Sequence, residues 1–187
     1  MPRLILMGPP GSGKGTQGEI LADSWGVPRI SPGDIFRAEI KQGTDLGNKV
    51  KAFSDSGILV PDEVVIEVIH HRLSQPDTNA GWILDGFPRT VPQAEALDLL
   101  LKSIQQNYDH VLNIDVPDVD LVDRLKIRAQ QLGRTDDTEE VIKQRLEEYY
   151  AKTRPLLEFY GKNVTFIDGT PSMAEVTKHI QQKLELG

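Results

Sequence analysis

The stretch that most restricts what this chain can fold into lies near its start. Leu4-Ile5-Leu6-Met7 runs directly into Gly8-Pro9-Pro10-Gly11-Ser12-Gly13-Lys14-Gly15-Thr16. A short, wholly apolar run fits a strand covered on both faces. The glycines after it let the backbone curl until successive N–H groups point at one anion. A helix-compatible segment, Thr16 to Leu21, follows and turns its positive end toward the same anion, while Lys14 reaches the outer phosphates. Gly15 stands where the general phosphate-loop pattern has Ser or Thr, and the hydroxyl comes one residue later, at Thr16. That displacement points to a subset of phosphate-binding proteins.

Beyond the loop, short apolar runs alternate with longer helical patterns. Strands are expected at Arg3–Met7, Val27–Ile30, Trp82–Asp85, His110–Val116 and Val164–Asp168. Helical segments are expected near 14–24, 32–42, 62–74, 91–104, 118–130, 139–160 and 172–185. The alternation predicts an α/β fold, a parallel sheet with helices on both faces, whose ligands bind beyond the carboxyl ends of the strands. Gly8 and Asp85 both follow strands in that way. Two stretches interrupt the pattern: Ser31 to Ala80, which reads as a helical insertion, and the polar link Gln130 to Asp137. Cysteine is absent, which removes disulfides and thiolate metal sites, including a structural zinc of that kind. The four histidines, His70, His71, His110 and His179, have no metal-site spacing. No apolar run approaches the ~20 residues of a membrane span, and a signal-peptide pattern is lacking, so the expected location is the cytoplasm. The net charge of −7 argues against nucleic acid or an anionic membrane as partner. A chain of that charge that binds polyphosphate must gather its positive charge locally.

Two further constellations bear on chemistry. Asp85-Gly86-Phe87-Pro88-Arg89 follows Trp82-Ile83-Leu84. An acid at a strand end beside a phosphate loop can organise Mg²⁺, largely through water, and Arg89 offers a fork of donors suited to phosphate. Arg124 and Arg128 share one helix face, Arg134 lies in the polar link, Arg145 on the next helix, and Arg37 early in the insertion.

Taken in order, these residues make the chain resemble the nucleoside monophosphate kinases, and within them the adenylate kinases. The motifs that carry the resemblance are Gly8 to Thr16, Gly33-Asp34-Ile35-Phe36-Arg37, Asp85 to Arg89 with Gln93, Gly133 to Asp137, Arg145 and Asp168-Gly169-Thr170. The resemblance implies a P-loop NTPase-type sheet of core segments 1–30, 61–128 and 138–187. A helical NMP-binding insertion at 31–60 and a short ATP lid at 129–137 complete the implied single domain. Implied ATP contacts are Gly11, Ser12, Gly13, Lys14, Gly15, Thr16, Arg124, Arg128 and Pro171. Implied acceptor contacts are Pro32, Arg37, Ile58, Leu59, Val60, Gly86, Phe87, Pro88, Arg89, Gln93, Arg134 and Arg145, with Gln93 reading the AMP base. Lys14, Asp85, Arg89, Arg124, Arg134 and Arg145 form the implied catalytic set, and Thr16 and Asp85 the Mg²⁺ position. Asp136 and Asp137 are expected to pair with arginines, and the protein is expected to act as a monomer on ATP and AMP or ADP. One departure stands out: Ser31-Pro32-Gly33-Asp34 has proline where the family usually has a threonine that contacts the AMP base. Proline suits a first helical turn, but one base contact is lost, which leaves a UMP/CMP-type kinase as the alternative. A nucleotide-binding module without turnover is a second one, opposed by the intact Lys14 and arginine set. A guanine-reading Asn-Lys-x-Asp stretch is absent.

Overall fold

The computed structural model describes residues 1–132 and 138–185. Among these, β1 (Arg3–Met7), β2 (Arg29–Ile30), β3 (Trp82–Asp85), β4 (His110–Asp115) and β5 (Val164–Asp168) form one sheet in the order β2-β3-β1-β4-β5. Every neighbouring pair is parallel. The continuous apolar runs are explained by what covers them. In β1, Ile5 and Met7 face one core cluster while Leu4 and Leu6 face the other, as period-two alternation requires. The first cluster lies under α2 (Pro32–Gln42), α3 (Asp45–Ser56), α4 (Asp62–Leu73) and α5 (Val91–Ser103). The second lies under α1 (Lys14–Trp25) and α9 (Met173–Glu185).

The observed elements follow the expected ones closely, and each difference has a local cause. Pro28 lacks an N–H, so β2 is only two residues long, although Pro28 still accepts a bond from Ile83 at 3.0 Å. The strand β4 stops at Asp115, one residue short of Val116, just before Pro117. The single helix expected over 139–160 is instead α7 (Glu139–Glu148), a π-helical turn at Tyr149–Thr153, and α8 (Leu156–Tyr160). Pro155 explains the break: its ring clashes with the preceding turn, and the backbone widens so that Arg154 N–H reaches Tyr149 O at 2.8 Å. The helix α6 runs Asp118–Leu132, two residues beyond its expected end at 130. The insertion is helical, as expected, and α3 within it had no boundary of its own in the sequence reading.

Pro32 stands in the first turn of α2 and is buried, and the Ser31 hydroxyl accepts from Asp34 N–H to cap that helix. Helices α2 and α3 meet closely at Gly47, where an added Cβ would sit 2.2 Å from Glu39 O. Gly47→Ala should therefore cost about 1–3 kcal/mol by prising the two helices apart. Gly26→Ala, with nothing within 4 Å but φ +63°, should cost only the left-handed strain of about 1 kcal/mol. Urea midpoints of the two variants check the order.

Candidate active site

Parallel pairing in the sheet sets up the site. Leu6 of β1 stands opposite Asp85, the last residue of β3, so the loop after β1 emerges beside that carboxylate. The loop is tightly specified. Gly8 has φ +141°, and a Cβ there would lie 2.4 Å from Ile114 O. Gly13, at φ +96°, occupies the N-cap of α1, whose first turn holds no acid to oppose its dipole. Lys14 bends back so that its Nζ donates to Gly8 O at 2.7 Å and Pro9 O at 2.9 Å. Enclosure pushes the Lys14 pKa down to about 8, Asp85 offsets part of that, and Arg89 and Arg128 add to the lowering. The Ser12 Oγ is buried and lacks a hydrogen-bond partner among the described residues. A polar atom so placed in an anion-shaped loop fits a phosphate site.

A cleft of about 610 Å³ opens from this loop and runs to the helical insertion. From the phosphate loop it takes Gly11, Gly13, Lys14, Gly15 and Thr16, and from the sheet end Asp85, Gly86, Pro88 and Arg89. The insertion side contributes Pro32, Arg37, Ile58, Leu59 and Val60, with Gln93 behind them; Arg124, Arg128 and Arg145 close the remaining side. These arginines sense one another. Burial lowers the Arg89 pKa, Asp85 opposes the shift, and Arg145 and Arg37 reinforce it. Arg124 is held by a 2.9 Å bond from Nη1 to Gly169 O. The local gathering of positive charge that the acidic chain demanded is therefore present.

Some expected residues sit elsewhere. Phe87 is 1% exposed and belongs to the core, next to a cis Phe87–Pro88 peptide. Pro171 does not line the cleft but lies in the turn beyond β5, while Ser12 is buried within the phosphate loop itself. Arg134, Asp136 and Asp137 lie outside the described residues.

Other residues were not anticipated. Arg29, from the two-residue β2, pairs with Asp85 at 2.5 Å, with Asp34 at 2.5 Å and with Glu19 at 3.1 Å. Arg37 also pairs with Asp34. Burial would raise the Asp34 pKa, but Arg37 and Arg29 outweigh it and hold the carboxyl below its usual range. Asp62 accepts from Gln93 and Thr90. Tyr149 and Thr153 reach the cleft through the π-helical turn, where the Thr153 hydroxyl donates to Arg89 O at 2.9 Å. For Arg29 the signal in the sequence was weak: a charged residue in a short apolar run, meaningful only once β2 is set beside β3.

The donor set suits Mg²⁺ carried by a nucleotide. Asp85 is the buried acid at the loop, and an added Cβ on Gly15 would stand 3.6 Å from its Oδ2. Among the described residues no group of three or more His, Cys, Asp or Glu forms an all-protein metal cage. Mg²⁺ that keeps its waters and phosphate ligands needs only one or two protein groups.

Arg29→Met should destabilise the fold by about 3 kcal/mol at neutral pH, because it leaves the buried Asp85 carboxylate without its 2.5 Å partner and Asp34 with Arg37 alone. Asp34 has its folded pKa below the ordinary 3.8, so its share of stability is present above that value and lost as pH falls through the lowered one. The difference between Arg29→Met and the parent should therefore shrink in acid, which urea titrations at pH 7 and pH 3 would read.

Comparison with known proteins places these features together in one family. The family model described as "Adenylate kinase" matches residues 6–165. An adenylate kinase of Cyanothece sp. is 53% identical over 183 residues, covering 97% of this chain and 94% of its own. One from Leptospira biflexa serovar Patoc is 50% identical, covering 98% of this chain and 100% of its own. A Synechococcus sp. adenylate kinase is also 50% identical, with 99% and 97% covered.

Proposed function

The chain belongs to the adenylate kinase family, and from that premise we propose how its cleft carries out the family's reaction. It is a phosphotransferase: a phosphoryl group passes reversibly from ATP to AMP, giving two ADP. This reading stands over the UMP/CMP-type alternative because relatives at 50–53% identity over nearly the whole chain are adenylate kinases.

The observation that supports the mechanism is the convergence of Lys14, Arg37, Arg89, Arg128 and Arg145 on a single cleft bordered by Asp85. The acceptor oxygen of a nucleoside monophosphate is already ionised, so no general base is needed. Catalysis reduces to positioning and to neutralising the charge of the group in transfer. In this reading the loop from Gly11 to Thr16 holds the donor phosphates through its N–H groups, and Lys14 leaves its carbonyl partners for the outer phosphates. Arg124 and Arg128 hold the donor nucleotide. Arg37 grips the acceptor phosphate, and Arg89 and Arg145, with Arg134 from the short lid, surround the group that moves. Ile58, Leu59 and Val60 flank the acceptor base, and Gln93 reads its edge. Asp85 and Thr16 would hold Mg²⁺, which supplies charge neutralisation on the donor phosphates when bound. Water is excluded as the insertion at 31–60 and the lid at 129–137 enclose the reactants, which protects the transfer from hydrolysis. We further propose a monomer working in the cytoplasm. No helix of the described residues is long and apolar enough to cross a membrane.

Lys14→Met should fold normally by circular dichroism yet lose at least about 10²-fold in kcat in a coupled ADP assay. Full activity would refute the role given to the loop. In an acceptor panel, AMP should exceed UMP and CMP in kcat/KM, and a preference for UMP would reverse the assignment of acceptor.

A further inference from the structure

Gln93 is 2% exposed, yet it lines the acceptor end of the cleft, and both halves of its amide are already engaged. Its Oε1 accepts from Arg89 N–H at 2.8 Å, and its Nε2 donates to Asp62 Oδ1 at 2.7 Å. Asp62 stands in the first turn of α4, and its other oxygen accepts from the Thr90 hydroxyl at 2.9 Å. Thr90 in turn caps α5, accepting from Gln93 N–H at 3.2 Å. Asp62 therefore touches both the reading residue and the residue that fixes its helix.

The chemistry of these partners leaves the amide a single orientation. A backbone N–H can only donate, and a carboxylate can only accept. Turning the amide over would set its NH₂ against the Arg89 N–H and its oxygen against the Asp62 carboxylate. Each buried contact would become a repulsion with an unsatisfied group. With the orientation pinned, one N–H of Nε2 and one lone pair of Oε1 remain, side by side and in fixed order. That edge complements a ring nitrogen acceptor beside an exocyclic amino group, as on the six-membered ring of adenine. It opposes a ring N–H beside a carbonyl, the edge of hypoxanthine, guanine and uracil.

We propose that Asp62 is a positioning residue for acceptor selection: by pinning the Gln93 amide it makes the cleft prefer a 6-amino over a 6-oxo purine monophosphate. The proposal rests on the reading that the acceptor base meets Gln93. It gains weight from Pro32, whose side chain carries no hydrogen-bonding group, so more of the readout falls on Gln93. Asp62 itself does not touch the base.

The test compares kcat/KM for AMP with that for its 6-oxo counterpart, inosine monophosphate, in the parent, Asp62→Asn, Asp62→Ala and Gln93→Ala. The ratio is measured on one preparation of each enzyme, so a partly folded variant still reports it. The AMP-to-IMP ratio should fall at least about 10-fold in Asp62→Ala, as expected when a hydrogen-bonded edge loses its definition, and by less in Asp62→Asn, whose carbonyl can still accept from Nε2. A merely structural Asp62 at the start of α4 would lower both activities together and leave the ratio unchanged, which overturns the proposal. Gln93→Ala separates the premise from the inference. If its ratio stays at the parent value, the base does not meet Gln93 and the premise fails. If its ratio collapses while both Asp62 variants keep theirs, the premise holds and the role of Asp62 is refuted.

Discussion

Much of the site depends on where the Arg29 guanidinium sits. The strand that carries it is two residues long, yet Arg29 joins Asp85 of β3, Asp34 of α2 and Glu19 of α1. Register explains the reach. Arg29 stands opposite Ile83, so Asp85 lies two residues further along the neighbouring strand and on the same face. The helix α1 makes room for the stem at Gly18, where an added Cβ would sit 2.9 Å from the Arg29 Cδ. A side chain only 17% exposed thus ties the carboxylate proposed for Mg²⁺ to the start of the helix that carries Arg37. Removing such a cation would strand the buried Asp85 and leave Asp34 with Arg37 alone, whereas an exposed pair such as Lys51–Asp55 contributes little.

The same arrangement explains how an acidic chain holds a cationic cleft. Burying and grouping Lys14, Arg37, Arg89, Arg128 and Arg145 opposes folding: burial above all, and then the neighbouring arginines, lower the pKa values of Lys14 and Arg89. Asp85 offsets part of the strain on both, and Asp34 does the same for Arg37. What remains is a positive potential fixed before any anion arrives, and a fixed potential needs no reorganisation during transfer. The chain as a whole carries a net charge of −7 even with these cations counted, which disfavours extended polyanions while leaving room for a compact one in the cleft.

Legibility in the sequence followed the range of the signal. The phosphate loop, Asp85 and Arg89 were readable because strand, glycines and charged residues are contiguous there. Continuous apolar runs gave the buried strands, and Pro32 was readable as a helix starter. Arg29 and Asp62 were not readable, since Asp85 lies 56 residues from the first and Gln93 31 from the second, and only sheet register or helix packing brings them together. The π-helical turn at Tyr149–Thr153 was missed for a different reason. Pro155 marked a break in an apolar pattern that otherwise looks continuous, and the direction in which the backbone would yield is a tertiary matter. It yields toward the cleft, where Thr153 bonds the carbonyl of Arg89.

Pro32 shows how a departure from a family pattern is absorbed. Its ring keeps the first turn of α2, and Ser31 supplies the cap, so the replacement disturbs no backbone bond. In the proposed reading the loss is confined to one hydroxyl that would have faced the acceptor base. A hydroxyl both donates and accepts and rotates to suit its partner, so it contributes affinity but little direction. The Gln93 amide is different, because Arg89 N–H and Asp62 leave it only one donor and one acceptor to present. Direction, not the number of hydrogen bonds, separates an amino edge from an oxo edge. If Gln93 reads the base as proposed, a cleft that keeps the pinned amide can therefore lose the hydroxyl and weaken its grip on AMP without losing its preference for it.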